Sequence, residues 1–220
     1  VPKNPDGSPN LSAPAPKTSD GKPDLSGLWV LERNRPCPPG GCVDMEVGQE
    51  FLNMGWNFKD GLPYQPWAAE LVKVRRADNG KDDLDSNCRP AGIVKLTTSP
   101  LYRKFLQLPG LTVILNERDA SYRQVFTDGR ALPVDPLPTP NGYSAGKWEG
   151  DTLVVRTIGM SGGQWLDRSG SPLTESAKIT ERFRRLNYGK MEVEIAIDDA
   201  KAYTRPWSAK VMLLLAPGTE

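Results

Sequence analysis

The sequence predicts an all-β protein with minor α content, built as an antiparallel up-and-down β-barrel with one helix and a long N-terminal arm. Two patterns support this prediction. From Tyr102 to Leu215, apolar and polar side chains alternate with a period of two, which is typical of strands that bury one face. Short turn sequences rich in glycine, proline and asparagine separate these runs. A meander of many strands tends to close, because closure removes its exposed edges.

The first part of the chain, residues 1–24, is predicted to be an extended proline-rich arm. It carries few large apolar side chains, so it cannot bury enough surface to fold alone. Pro5–Ser12 and Ser19–Ser26 are similar in sequence, and two such short copies indicate a duplicated strap rather than a solenoid. Residues 25–220 are predicted to form a single barrel domain.

The elements of the barrel follow from the same pattern. The first strand is predicted over Leu25 to Arg33. Residues 36–80 are predicted to cap the barrel, because a long loop that carries many large apolar side chains is seldom free coil. One helix is predicted within this cap, from about Pro66 to Ala77, with proline in its first turn and basic residues in its last. Its apolar stripe is predicted at Trp67, Leu71 and Val74. The later strands are predicted near 102–108, 111–118, 121–127, 143–149, 151–159, 177–187, 190–198 and 207–215.

Composition restricts the partners and the compartment. The net charge is +1 and no long run has one sign, so no nucleic-acid partner is expected. The longest apolar run, 211–216, is far shorter than the roughly 18 residues that span a bilayer, so no membrane insertion is expected. The chain begins at Val1 without methionine, as expected after removal of a signal peptide, although a trimmed sequence would begin in the same way. The predicted location is secreted or periplasmic.

Histidine is absent, which excludes Ser-His-Asp and Cys-His catalysis and zinc sites with histidine ligands. No cofactor is predicted. Cys37 and Cys42 flank Pro-Pro-Gly-Gly, a turn that favours a disulfide, and a metal site that includes Cys88 is the alternative. With the disulfide formed, Cys88 is expected to be a free, small, buried residue.

Ionisable side chains on apolar faces are candidates for the site. Glu181 lies between Ile179 and Phe183, and a carboxylate on that inward face must pair with an arginine or keep its proton. Glu117 continues an apolar row in the same way. For both residues the alternative is a strand end in water or an ion pair with one of three arginines, Arg118, Arg123 or Arg182.

Tyr143, Trp165 and Asp167 flank two long loops that are predicted at one end of the barrel. A tyrosine and a carboxylate can act as acid and base in a site without histidine, so Tyr143, Glu181 and Asp167 are the predicted catalytic residues. The alternatives are a loop anchor for Trp165 and a turn cap for Asp167. The predicted substrate-binding residues are Trp165, Arg182, Glu117, Tyr122 and Trp56.

Four segments occur along the chain in a characteristic order. They read YSAGKWEGDTLVV over 143–155, WLDR over 165–168, ERFRR over 181–185 and YTRPW over 203–207. Together they resemble a large family of exported bacterial proteins of mostly unassigned function. The Gly-x-Trp of the first strand, Gly27 to Trp29, is in addition similar to the opening strand of lipocalin-like barrels, so this likeness implies a lipocalin-like β-barrel.

Three positions depart from that family, whose members carry histidine where this chain has Tyr143, Leu173 and Leu132. If the family site uses these imidazoles, this chain relies on tyrosine, carboxylate and arginine chemistry or only binds. The resulting hypothesis is a histidine-free, cofactor-independent lyase, isomerase or cyclase that acts on a small apolar or aromatic molecule in the barrel cavity. The alternative is a lipocalin-like carrier of a small hydrophobic ligand without catalysis, and a homodimer is compatible with either.

Overall fold

The computed structural model of this protein describes residues 1–32, 53–56 and 58–218. Its strands are β1 Gly27–Leu31, β2 Arg103–Leu108, β3 Leu111–Asn116, β4 Ser121–Phe126, β5 Tyr143–Glu149, β6 Thr152–Ile158, β7 Gln164–Trp165, β8 Pro172–Leu173, β9 Lys178–Asn187, β10 Lys190–Asp198 and β11 Trp207–Leu215. The helices are α1 Pro66–Ala77 and α2 Ile93–Thr98.

In this part of the chain, nine strands close a barrel in the order β1-β11-β10-β9-β6-β5-β4-β3-β2, and β7 pairs with β8 in a separate hairpin. The predicted all-β barrel with minor α content is therefore confirmed. One connection between the described strands departs from the up-and-down order, because β4 and β5 pair in parallel at Val125 with Ser144 and Phe126 with Ala145. The proline-rich loop between them serves as a crossover, which a parallel pair requires.

Alternate side chains of the barrel strands fill the interior. On β10, Met191, Val193, Ile195 and Ile197 are fully buried, as the period-two pattern predicts. The rings of Phe105 and Phe183 meet edge to face, with centroids 5.7 Å apart. Burial of such rows is the main force that holds the sheet closed.

One end of the barrel, the mouth end, is where β2 and β4 begin and β3 and β6 end. All six residues of α2 are buried there. The sequence did not predict α2, because it is too short for a helical period to show and four of its residues are β-branched.

The predicted helix is confirmed as α1, but its predicted apolar stripe is wrong. The buried side chains of α1 are Ala68 and Val72, whereas Trp67 and Val74 are 47% and 54% exposed. The small side chains allow close packing, and Trp67 instead donates from its indole nitrogen to the carbonyl of Lys201 at 2.8 Å.

The arm folds into two turns with matching hydrogen bonds. In each turn one N–H donates to a carbonyl four residues ahead, and a later N–H closes the turn. These bonds are Asn4 to Ser8 and Asn10 to Pro2 in the first copy, and Thr18 to Lys22 and Asp24 to Pro16 in the second. The second copy leads into β1 and buries Leu25 completely, while the first lies against the β9–β10 turn, where Gly189 N–H donates to Leu11 O at 2.8 Å. Residues 1–24 are thus a duplicated strap and are not extended throughout.

Several sequence expectations concern cysteines and the cap. Cys37 and Cys42 lie outside the described residues, so their disulfide stays a prediction. Cys88 is free, as expected, but it is exposed rather than buried, because it follows a surface 3-10 turn over Asp85–Asn87. The predicted cap, residues 36–80, lies partly outside the described ranges. No helix within those ranges is long and apolar enough to cross a membrane.

Candidate functional site

A network of polar side chains crosses the barrel interior at the mouth end. Arg123 on β4 donates from Nη2 to Glu181 Oε2 on β9 at 2.5 Å. The same guanidinium donates to Ser144 Oγ at 3.0 Å and to Thr157 Oγ1 at 2.9 Å, on β5 and β6. The hydroxyl of Thr97 on α2 lies 3.2 Å from the other oxygen of Glu181. Arg123 and Glu181 are buried, so their charges are balanced by each other and by the hydroxyls rather than by water.

A second buried guanidinium, that of Arg103 on β2, closes the C-terminal end of α2. Its Nη1 donates to Thr97 O and its Nη2 to Ser99 O, two carbonyls at the point where the helix ends. Its Nε is buried and has no acceptor among the described residues. Burial lowers the pKa of Arg103 to about 10, although Glu181 acts in the opposite direction, so the group stays charged at neutral pH.

Little space remains between these groups. A cavity of about 10 Å³ lies between α2 and the barrel wall, which is room for about one water molecule. Its polar lining consists of Thr97, Arg103, Asn116 and Arg123, and its apolar lining consists of Ile93, Leu96, Phe105, Ile114, Phe183 and Leu213. This cavity is too small for an organic molecule of the kind that the sequence predicted as ligand.

A larger opening, the outer groove, lies on the outer face of the sheet. Leu28, Lys104, Leu115 and Tyr122 are successive cross-strand partners, so they form a row across β1, β2, β3 and β4. The groove has a volume of about 470 Å³, within the range of roughly 300–1,000 Å³ that is usual for small-molecule sites. Its other lining residues are Tyr102, Asn116, Glu117, Ala120 and Ser121.

Two residues fix the rim of the outer groove. Glu117 Oε2 accepts a hydrogen bond from Tyr102 N–H at 3.0 Å, and Glu117 N–H donates to Tyr102 O at 3.0 Å. The backbone at Tyr102 is therefore held by two bonds. Tyr102, Leu115 and Tyr122 are 37%, 41% and 63% exposed, which leaves aromatic and apolar surface open to a ligand.

No known protein family, curated protein or solved structure matches this chain. The geometry of the interior network and of the outer groove is therefore the basis for assigning a function.

The three predicted catalytic residues are not brought to one point. Glu181 faces inward, and its partner Arg123 is one of the arginines that the sequence suggested. Tyr143 precedes the inward-facing Ser144 on β5, so it lies on the other side of the wall, with its ring next to Gly159. Asp167 lies in the loop that joins β7 to β8.

The carboxylate of Asp167 organises that loop. It is fully buried, and it accepts hydrogen bonds from Met54 N–H at 3.0 Å, from Ser171 N–H at 3.1 Å and from the Ser171 hydroxyl at 2.8 Å. The Tyr64 hydroxyl lies 2.7 Å from Ser171 Oγ and extends the network to a half-buried tyrosine. Burial raises the pKa of Asp167, and these hydrogen bonds offset only part of that effect. This geometry matches the alternative of a turn cap.

Trp165 is buried between two cations. Its ring centroid lies 4.5 Å from the Arg75 guanidinium carbon and 5.5 Å from Lys95 Nζ. Lys95 is itself fully buried and forms an ion pair with Asp83. Arg75 also donates to Gly170 O at 2.7 Å, which ties α1 to the hairpin. The indole thus joins α1, α2 and the hairpin, as the loop-anchor alternative requires.

The other predicted binding residues separate into two groups. Glu117 and Tyr122 both line the outer groove. Arg182 is on the outer side of β9, where it pairs with Glu149 at 3.0 Å, and Trp56 is half-buried in the turn after Met54. In the described ranges, no cluster of three cysteine, aspartate or glutamate side chains is placed to hold a metal ion.

Several residues of the interior network and the outer groove were not predicted from the sequence, among them Tyr102, Arg103 and Lys104. Alternation within the strand 102–108 contained the signal, because Arg103 shares a face with Phe105. An arginine in phase with an apolar row is a candidate for a buried cation, just as a glutamate is for a buried anion.

Proposed function

We propose that this protein is a small-molecule-binding barrel and that its ligand lies in the outer groove. The observation that carries the proposal is the row Leu28, Lys104, Leu115 and Tyr122, which lines a groove of about 470 Å³. The sequence predicted a hydrophobic ligand inside the barrel. The outer groove offers room that the cavity beside α2 lacks.

Binding is favoured over catalysis by the positions of the ionisable groups. A lyase, isomerase or cyclase needs an acid and a base at the same ligand atoms. Glu181 faces inward and is engaged by Arg123, whereas Tyr143 is on the other side of the wall. Asp167 is committed to Met54 and Ser171. The acid and base of the predicted reaction are therefore not assembled.

The lining favours a flat, largely apolar ligand. Tyr102 and Tyr122 provide aromatic surface for stacking, and Leu115 lies next to Tyr122 in the row. These exposed side chains are few compared with the roughly 20–30 residues that each partner contributes to a stable protein interface. We therefore propose a small aromatic molecule, and not a second copy of the chain, as the occupant.

The test is an NMR titration of the ¹⁵N-labelled protein with 2-naphthamide, a neutral flat aromatic. Saturable shifts are expected at the amides of 102–104, 115–117 and 121–122. Replacement of Tyr122 by alanine should weaken binding about tenfold, because an aromatic pair adds roughly 0.5–1.5 kcal/mol to the burial of its area.

Two leucines of equal exposure provide a matched control. Leu115 and Leu186 are both 41% exposed, but only Leu115 lines the groove. Leu115→Ala should weaken 2-naphthamide binding and Leu186→Ala should not. Equal effects of both substitutions would overturn the proposal. So would chemical shift changes confined to interior residues such as Phe105, or a concentration-dependent dimerisation that competes with 2-naphthamide binding.

A further inference from the structure

Asn116 connects the outer groove with the buried cavity. It is the last residue of β3, it is 8% exposed, and it lines both spaces. Its cross-strand partner is Arg103, and two such side chains on one face have Cβ atoms about 4.5–5.5 Å apart. Asn116 Nδ2 donates to Ser121 Oγ at 3.5 Å, which is long for a hydrogen bond. The side chain between groove and cavity is therefore held weakly by this bond.

The cavity behind Asn116 is positively charged. Arg103 and Arg123 both line it, and the carboxylate beside them, Glu181, is engaged by Arg123. The terminal nitrogens of Arg103 donate to neutral carbonyls, and its Nε has no acceptor among the described residues. A buried cation with an unfilled donor is costly, and a carboxylate relieves that cost because it accepts charge-assisted hydrogen bonds from arginine.

We infer that the ligand of the outer groove is an anion, an aromatic or apolar carboxylate whose carboxylate group passes Asn116 and binds Arg103. This inference rests on the proposed function, because it needs a ligand in the groove. The apolar body lies against Leu115 and Tyr122 on the outer face. Only the carboxylate enters, and the cavity of about 10 Å³ widens as the Asn116 side chain swings aside to admit it.

The experiment compares 2-naphthoate with 2-naphthamide, two probes of one shape that differ in charge. Dissociation constants are measured by NMR titration of the full chain at pH 7. The wild type should bind 2-naphthoate about tenfold more tightly or better, since a hydrogen bond between charged groups is worth about that factor. The Arg103 Nε–H resonance should shift with 2-naphthoate and not with 2-naphthamide.

Two variants test the route and the acceptor. Arg103→Lys keeps the charge but loses Nε and the planar fork, and Asn116→Leu fills the passage with an apolar side chain of similar size. Each should reduce the preference for 2-naphthoate, taken as the ratio of the two dissociation constants measured on the same variant, to about twofold or less. Arg103 lines the cavity but not the groove, so Arg103→Lys should in addition leave the affinity for 2-naphthamide unchanged. The matched control is Lys104→Gln, which removes a cation that lines the groove but not the cavity. It should leave most of the preference in place.

The outcomes separate this inference from the proposed function. Equal binding of both probes by the wild type overturns the inference and leaves the groove as a neutral-ligand site. A preference lost in Lys104→Gln but kept in Asn116→Leu also overturns it, because the anion is then bound at the surface. If neither probe binds, the proposed function fails and this inference fails with it. If Arg103→Lys does not fold, the inference is tested by the other two measurements. It holds only if Asn116→Leu loses the preference for 2-naphthoate and the wild-type Arg103 Nε–H resonance shifts with 2-naphthoate.

Discussion

Arg123 and Glu181 bind each other across the barrel interior, although two strands stand between β4 and β9 in the sheet. Those strands, β5 and β6, supply Ser144 and Thr157, which accept hydrogen bonds from the same guanidinium. One side chain therefore connects four strands on the inner face. It holds the wall together at the place where β4 and β5 pair in parallel and share few backbone bonds.

Removal of either charge of this pair should destabilise the barrel strongly. Glu181→Gln or Arg123→Gln leaves the partner buried and unpaired, and such changes cost about 3–5 kcal/mol. Replacement of both by apolar residues, Arg123→Met with Glu181→Leu, should restore much of the loss. Urea denaturation measures the free energy of unfolding. Arg182→Gln, in the half-exposed pair with Glu149, is the control and should change it by less than about 1 kcal/mol. Similar small effects at both pairs would contradict the structural role.

Asp167 should make the stability depend on pH in the acid range. Burial raises its pKa in the folded state above the value of about 3.9 expected in the unfolded chain. At pH values between these two pKa values, the folded state therefore binds more protons than the unfolded state. The contribution of Asp167 is thus fully present below about pH 3.9 and is lost as the pH rises through the folded pKa. The free energy of unfolding of the wild type, relative to Asp167→Asn, should fall from pH 3 to pH 7.

The control for this pH dependence is Asp128, an exposed carboxylate with the opposite shift. Hydrogen bonds from the side chain and backbone of Arg130 lower the pKa of Asp128. Its contribution is therefore present above the unfolded pKa and is lost as the pH falls through the folded one. The wild type relative to Asp128→Asn should gain stability as the pH rises. Parallel curves for the two variants would show that Asp167 is not desolvated as described.

Most of the barrel could be predicted from the sequence because strand alternation is a local signal. β5, β10 and β11 have the predicted bounds of 143–149, 190–198 and 207–215. The inward position of Glu181 followed from its apolar neighbours in the same way. The parallel pairing of β4 with β5 could not be predicted, since it depends on the path of a long loop.

The candidate site was less predictable for a related physical reason. Alternation shows that Tyr143 and Ser144 face opposite sides, but it does not show which side is the interior when neither is strongly apolar. The outer groove depends on the register of four strands, because only register places Leu115 between Lys104 and Tyr122. Glu117 and Tyr122 were chosen from the sequence, and their proximity emerged only with that register.

Gly142, at the entrance to β5, should tolerate no side chain. Its φ of +60° disfavours other residues, and an added Cβ would lie 2.6 Å from the carbonyl oxygen of Ile158. Gly129, in the same loop, has a φ of +88° but no atom within 4 Å of such a Cβ. Gly129→Ala should cost about 1–2 kcal/mol from backbone strain alone. Gly142→Ala should cost about 1–3 kcal/mol more, because the clash is added. Equal losses in urea denaturation would contradict the close approach of Ile158.

Gly189, in the β9–β10 turn, should control the attachment of the first copy of the strap. An added Cβ at Gly189 would lie 2.6 Å from Leu11 Cβ and 3.1 Å from Leu11 O, so Gly189→Ala should displace residues 1–15. The Tyr188 N–H, which donates to Ala13 O at 2.7 Å, should then exchange with solvent at least about tenfold faster.

The second copy of the strap supplies the internal reference for that measurement. The Thr18 N–H donates to Lys22 O within its own turn, and the N–H of the fully buried Leu25 donates to Gln107 Oε1 at 2.8 Å, so exchange at Thr18 should not change. Gly162→Ala is the control variant, since its added Cβ would meet only the Glu175 side chain and its backbone nitrogen at 4.0 Å. If exchange at Tyr188 stays slow in Gly189→Ala, the first copy is held elsewhere. If Thr18 exchanges faster as well, the two copies are released together. That result would contradict the independent attachment of the second copy.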